Sequence, residues 1–337
     1  MIAVGVDTHK HWHVAVAVDA LGQVLGELVI GATVAGYGEL VVWLSGLGGE
    51  VVVGIEGAGS YGAGLCQHLR DAAVTVVEVV RPRRRDRRAG KSDRIDALLA
   101  AKRVLAGDGT STPRTAGGRA ALGALLVAYR SCVGERTRLL NQLQGLQVTA
   151  PAALRERIGR GNGARLADRL VRMRDRPDAQ LHEQTMLTVL RDLARRARQL
   201  DAQANQYRCQ ITALVRELHP TLMDEPGVGP ISAAKLLVLD PARFRNEAAF
   251  ARGNGTAPQP ASSGHTIRHR LSRGGDRQAN NAIHTIAMNR AVNHPESRAY
   301  LERKLGQGKT HPEAMRALKR HVSRRLYNRL TEPHLTP

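Results

Sequence analysis

Apolar positions in the first hundred residues switch between two periods, and the switches divide the chain into elements. Residues 2–7 (Ile-Ala-Val-Gly-Val-Asp) form a short apolar run that ends in an acid, the pattern of a buried strand. His13 to Asp19 alternates with small apolar residues, Asp19-Ala20-Leu21-Gly22 reads as a turn, and Gln23 to Ile30 reads as a third strand. Such runs joined by turn residues predict an antiparallel meander. Thr33 to Leu47 changes to helical spacing behind an N-cap threonine. Glu50 to Glu56 returns to an apolar strand that again ends in an acid, and Gly57-Ala58-Gly59-Ser60 breaks the chain. Tyr61 to Ala72 is a helix and Val74 to Val80 a fifth strand. A run of good helix formers then follows Asp93 and Asp96.

The order β-β-β-α-β-α-β-α predicts an α/β domain with a mixed sheet covered by helices. Asp7 and Glu56 fall at strand ends, where open α/β sheets bind ligands. If the first and fourth strands are neighbours, these two acids face each other. Asp93 and Asp96, three apart on one helix face, can then pack across them. Four acids at one sheet end are costly without cations, and an all-carboxylate site suits Mg²⁺ (or Mn²⁺) better than zinc. Each acid also has a plainer reading. Asp7 can be a turn residue, Glu56 a cap for the next helix, and the aspartate pair acids favoured by a helix dipole. His9, His11 and His13 alternate without a fourth zinc ligand in view, and they read as surface or phosphate-contacting residues.

Beyond this domain the pattern becomes helical. Gly107 to Pro113 is rich in turn and breaker residues, which sets expected boundaries at 1–112, 113–220 and 221–337. Thr115 to Val148 carries an apolar helical stripe. From Met186 to Leu218 apolar residues alternate four and three apart through Leu190, Leu193, Ala197, Leu200, Ala204, Tyr207, Ile211 and Leu214. That heptad predicts a coiled coil, whose partner is either the 115–148 helix or another subunit. Met223 to Lys235, with Gly227 and Gly229, resembles a helix-hairpin-helix turn, in which backbone N–H groups approach a phosphate. Ser262 and Ser263 precede Gly264 and a basic cluster that includes Arg268, Arg270 and Arg273. On residue chemistry alone that stretch reads as a phosphate-binding loop, and residues 278–331 as helices with basic faces.

Charge narrows the function. The 337 residues carry 50 Lys+Arg against 30 Asp+Glu, a formal net charge of +20. That excess excludes an ordinary metabolic enzyme and points to a polyanion, most simply nucleic acid. Arg83, Arg84, Arg85, Arg87, Arg88 and Lys91 form one basic run, suited to tracking a phosphate backbone. Aromatic residues are only 3%, so arginine–phosphate contacts rather than base stacking are expected to dominate. No apolar run approaches the ~20 residues of a membrane-spanning helix. The first seven residues lack a basic n-region and meet an acid too early for a signal peptide. Cys66, Cys132 and Cys209 show no pairing pattern, consistent with a reducing cytoplasm.

Three motifs occur in order: Gly5-Val6-Asp7-Thr8-His9-Lys10, Ile55 to Tyr61, and Lys91 to Ala97. With their predicted elements they resemble a RuvC-like RNase H fold. More narrowly, they resemble the DEDD transposases of the insertion sequence 110 family, the bridge-RNA-guided recombinases related to Piv-type DNA invertases. Ala257-Pro258, Ser263-Gly264 and the basic residues 268–277 also follow that family's second domain in order. The stretch 252–256 departs from it, being more polar than the family's usual apolar segment. The resemblance implies that Asp7, Glu56, Asp93 and Asp96 hold Mg²⁺ or Mn²⁺ and that Ser263, rather than its neighbour Ser262, is the nucleophile. It implies strand cleavage and rejoining through a covalent phosphoserine on double-stranded donor and target DNA. A non-coding guide RNA, a homotetramer built as a dimer of dimers, and a bacterial, nucleoid-associated location are implied as well. Two rival readings are a RuvC-like two-metal endonuclease or Holliday-junction resolvase, and a nucleic-acid-binding scaffold without activity.

Overall fold

Strand β1 (Ile2–Thr8) lies at the middle of a six-stranded sheet, between β2 (Trp12–Val18), which runs antiparallel to it, and β4 (Val51–Glu56), which runs parallel. The computed structural model describes residues 1–79, 92–113, 117–261 and 269–332. These fall into two compact units, Met1–Ala116 and Gly117–Pro337.

In the first unit, β3 (Val24–Gly31) completes the expected meander and β5 (Thr75–Val79) adds in parallel to β4. Thr110–Ser111, within the segment expected to be turn and breaker residues, forms a short antiparallel strand, β6, at the far edge. The sheet order is β3-β2-β1-β4-β5-β6. It is a mixed sheet covered by helices, as the sequence pattern predicts. Helices α1 (Val34–Gly46) and α2 (Ala63–Asp71) cover one face, with Leu40, Leu44, Leu65 and Leu69 packed on Val4, Val6, Val53 and Ile55. Helix α3 (Asp93–Ala106) covers the other, placing Ala97, Ala100, Ala101 and Val104 with Ala3, Val16 and Val79.

Two glycines set how closely α3 approaches. Gly5 and Gly54 are register partners on β1 and β4, and strand alternation turns both toward α3. A Cβ on Gly5 would meet the Ala97 carbonyl oxygen at 2.0 Å and the Ala101 nitrogen at 2.2 Å. One on Gly54 would meet a Val104 methyl at 2.3 Å. The helix backbone therefore rests directly on the strands.

The second unit is mostly helical. Helix α4 (Gly118–Thr149) packs along α7 (Leu181–Leu218), with α5 (Ala152–Ile158) and α6 (Gly163–Arg172) between them in sequence. Leu122 and Leu126 share a core with Ile211 and Val215, while Leu143 shares one with Leu187 and Leu190, so the pair is antiparallel. Within the chain, α4 is therefore a partner for the 186–218 stripe. Its buried residues are Leu187, Leu190, Ala194, Ala197, Ala204, Ile211 and Val215. Met186, Leu193 and Leu214, which the heptad places in the seam, are partly buried at its margin. Helices α8 (Pro230–Leu239), α9 (Glu247–Gly253), α10 (Arg277–Asn293), α11 (Pro295–Gly306) and α12 (His311–Thr331) surround the core that holds Phe250, Ile283, Ile286 and Leu318. The two-residue strands β7 (Gln259–Pro260) and β8 (His269–Arg270) pair as a hairpin.

Candidate metal centre and nucleic-acid interface

Strand alternation explains why the acids converge. Ala3, Gly5 and Asp7 are successive residues of one β1 face, and Val52, Gly54 and Glu56 of one β4 face. Both rows look toward α3, because Ala3 packs there while Val4 and Val6 pack on the opposite side. Parallel pairing of Gly5 with Gly54 and Val6 with Ile55 brings the carboxyl ends of the rows level. Helix α3 begins at the same edge. Ser92 caps it by accepting from the Ile95 N–H at 3.2 Å, which places Asp93 and Asp96 in its first turn. The plain reading of these aspartates as first-turn acids holds, and their position against the sheet brings them to Asp7 as well.

Asp7, Glu56 and Asp96 are each less than a tenth exposed, whereas the Asp93 side chain is 42% exposed. The cluster thus has a buried base and one acid at its mouth. Burial pushes the Asp7 carboxyl above the ordinary range, and the charges of Glu56, Asp96 and Asp93 push the same way. His9 opposes them.

His9 is the residue that sequence reasoning misplaced. Its Nε2 lies 3.2 Å from Asp7 Oδ2 and 3.2 Å from Asp93 Oδ2, so it belongs to the cluster. His13 is fully buried, stacked on Tyr37 at 5.9 Å, and accepts the His9 backbone N–H at Nδ1. Burial pushes its imidazole pKa down, so it is a core residue and not a phosphate contact. Of the three histidines only His11 is exposed. The alternation was the wrong signal, because β2 begins only at Trp12 and His9 sits in the β1–β2 turn. Spacing of two from a strand-end aspartate was the better signal. Trp12 also joins the mouth, its indole N–H 3.5 Å from Asp93 Oδ2.

One atom each from Asp7, His9 and Asp93 lie within 4.8 Å of one another, close enough to hold one ion. Hard carboxylate oxygens with one imidazole nitrogen fit a divalent cation of the Mg²⁺ or Mn²⁺ kind. The mutual repulsion at Asp7 is what such a charge relieves.

In the second unit, Gly227 and Gly229 form the turn before α8. Gly227 has φ +78° and turns inward, where a Cβ would meet the Ile286 carbonyl oxygen at 3.1 Å; Gly229 faces open space. Buried Arg290 braces this turn, donating to the Pro226 carbonyl at 2.6 Å and to Glu225 Oε2 at 2.9 Å. The polar stretch 252–256 has a structural reason. Asn254, fully buried, donates to Ser323 Oγ at 2.9 Å and accepts from the Thr256 N–H and hydroxyl. Arg270 and Arg273 are exposed and line one groove beside the β7–β8 hairpin. Arg83, Arg84, Arg85, Arg87, Arg88, Lys91, Ser262, Ser263 and Arg268 lie outside the described residues. No described helix is long and apolar enough to cross a membrane.

Residues 4–149 match the profile of the DEDD transposases of IS110, described as a transposase. Residues 219–302 match that of the transposase IS116/IS110/IS902 family. The chain is 35% identical over 191 residues to the insertion element IS110 uncharacterized 43.6 kDa protein of Streptomyces coelicolor. That alignment covers 51% of this chain and 46% of the relative, so the chain spans about half the length of the relative it matches.

Proposed function

The chain belongs to the IS110 family of transposases, and on that premise we propose that it is a DNA recombinase of a mobile element that cuts and rejoins strands through a phosphoserine on Ser263. One observation carries the reading: Asp7 and Asp93 meet at His9, 3.2 Å from each, with Glu56 and Asp96 buried on the elements that hold them, at the edge of an α/β sheet in a chain of net charge +20.

In this reading Asp7, Glu56, Asp93 and Asp96 would hold Mg²⁺ or Mn²⁺, with His9 offering a nitrogen beside Asp7 and Asp93. A divalent ion there would offset charge on the phosphate and favour an ionised nucleophile. The Ser263 hydroxyl oxygen attacks the scissile phosphorus. The bond to the departing strand breaks, and the serine proton passes to the hydroxyl released. The new seryl phosphodiester keeps the bond energy, so attack by an incoming strand hydroxyl rejoins DNA and restores the serine. Arg268, Arg270 and Arg273 neutralise the extra charge of the transition state, and the basic run Arg83–Lys91 follows the nucleic-acid backbone. Donor and target are double-stranded DNA, chosen by a non-coding guide RNA, and a dimer of dimers handles the four strands. The RNA and the tetramer rest on the family resemblance alone.

The deciding experiment incubates the full chain with its element-end DNA, with and without RNA transcribed from the element's flank. Wild type is expected to give a detergent-stable protein–DNA adduct, and Ser263→Ala none. Undiminished cleavage by Ser263→Ala would install water as the nucleophile and replace this reading with a two-metal nuclease. Equal recombination without RNA would remove the guide and spare the recombinase. Full activity of Asp7→Ala without Mg²⁺ binding would overturn the metal site.

A further inference from the structure

We propose that the second unit contains a phosphate-binding pocket, with Lys319 as the cation at its floor, that seats a backbone phosphodiester of the DNA strand being processed. The cavity, of about 280 Å³, lies between the loop Gly255–Pro258, the start of the segment after β8, and helix α12. Five cations line it, namely Arg270, Lys309, Arg316, Lys319 and Arg320, against a single carboxylate, Glu313. That carboxylate is already engaged by the Thr310 N–H at 2.9 Å and its hydroxyl at 2.8 Å. Arg320 is paired with Glu247 at 2.5 Å. Arg270, Lys309, Arg316 and Lys319 form no ion pair within 4.0 Å with any described carboxylate.

Lys319 gives the pocket its direction. Its side chain is on the buried face of α12, 9% exposed, and its ammonium donates to Asn280 Oδ1 at 2.7 Å. Asn280 is fixed in turn, since its NH₂ donates to the Asn254 carbonyl at 2.8 Å, and Asn254 is locked to Ser323 and Thr256. The floor is therefore a preorganised chain of hydrogen bonds that ends in a positive charge. Burial holds the Lys319 ammonium below the ordinary lysine pKa, and no neighbouring acid is among the causes. A buried cation without an anion is costly to keep, and an entering phosphate removes that cost while exchanging water for charge-assisted hydrogen bonds. A phosphodiester is favoured over a lone small anion because β7 and β8, whose residues Pro260 and His269 pair, are the two ends of the segment holding Ser263. This choice of ligand rests on the proposed nucleophile, but the pocket's affinity for phosphate does not.

The test uses the full chain and a fluorescein-labelled DNA duplex of the element end, read by anisotropy across a salt series. Lys319→Met is expected to weaken binding about tenfold and to lower the slope of log affinity against log salt by about one, as loss of one phosphate contact does. Its melting temperature should hold or rise, because an uncompensated charge has left the interior. Inorganic phosphate should raise the melting temperature of wild type and not of Lys319→Met. If the variant does not fold, Arg316→Gln, half-buried and outside any described ion pair, takes its place, with the same expectations for DNA affinity, salt slope and phosphate. Unchanged DNA affinity and salt slope, or equal stabilisation of variant and wild type by phosphate, would overturn the pocket and leave Lys319 as a structural partner of Asn280. Weakening confined to a labelled RNA of the same sequence would overturn the assignment to DNA. Ser263→Ala keeps these readouts separate: it should bind DNA as wild type does while forming no adduct. Lys319-dependent phosphate binding in a wild type that forms no adduct would retain the pocket and remove the nucleophile.

Discussion

Asp7 and Asp93 meet at one imidazole nitrogen: Nε2 of His9 lies 3.2 Å from Oδ2 of each. Asp7 is at the end of β1 and Asp93 at the start of α3, so the histidine joins sheet to helix within the acidic cluster. Protonated, it is a cation between two acids; neutral, it offers a lone pair to a metal.

His9→Ala therefore separates the two roles. As a ligand, His9 should matter more for Mn²⁺ than for Mg²⁺, because imidazole nitrogen suits the softer ion. Calorimetric titration is expected to show a loss of about tenfold for Mn²⁺ and a smaller one for Mg²⁺. Equal losses would make it a charge spacer.

Asp7→Asn removes one of four converging carboxylates. Because burial and like charge both disfavour the ionised Asp7, the metal-free variant should melt higher than wild type at neutral pH. It should also lose the stabilisation that metal confers, about 2.7 kcal/mol for wild type at a hundredfold excess over Kd. Thermal melts with and without Mn²⁺ measure both. A variant that melts lower, or still responds to the ion, would contradict the site.

Gly5→Ala tests the seat of α3. The added methyl collides with helix backbone at Ala97 and Ala101, which cannot rotate away as a side chain can. The expected cost is near the upper end of the ~1–3 kcal/mol of overpacking, with metal affinity lost as α3 lifts Asp93 and Asp96 from Asp7. Denaturant unfolding and metal titration on the same sample would show the two losses together.

Glu225 and Arg290 form a buried ion pair under the Gly227 turn, with Arg325 at 2.8 Å on the other side. Arg290→Met should cost less than the ~3–5 kcal/mol of a fully broken buried pair, because Arg325 still holds Glu225. Burial alone would raise the Glu225 carboxyl, but hydrogen bonds and charge from Arg325 and Arg290 outweigh it and hold the pKa low. Its contribution is thus full above the ordinary glutamate value of about 4.3 and is lost as pH falls through the lower folded value. Denaturant titrations from neutral to acid pH should give a steeper loss for wild type than for Glu225→Gln, and parallel curves would refute the coupling.

The chain by itself determined the elements of the first unit apart from the short edge strand β6, since period-2 and period-3.6 patterns report which faces are buried, and local chemistry such as Thr33 marks where a helix starts. It also placed four acids at the ends of those elements. Their convergence was conditional on β1 and β4 being neighbours, and only the tertiary structure decided that. Sheet order is a long-range choice that no local pattern encodes. The same holds for His9, whose role depends on Asp93 being brought across from α3, and for Gly5 and Gly54, which read as ordinary strand residues until the helix backbone rests on them. The heptad in 186–218 required a partner helix without naming it, because a seam reports burial and not what buries it. The antiparallel packing of α4 on α7 supplies one within the chain. Lys319 was hidden for a further reason: in sequence it is one basic residue among many on α12, and only packing distinguishes a buried ammonium from a solvated one.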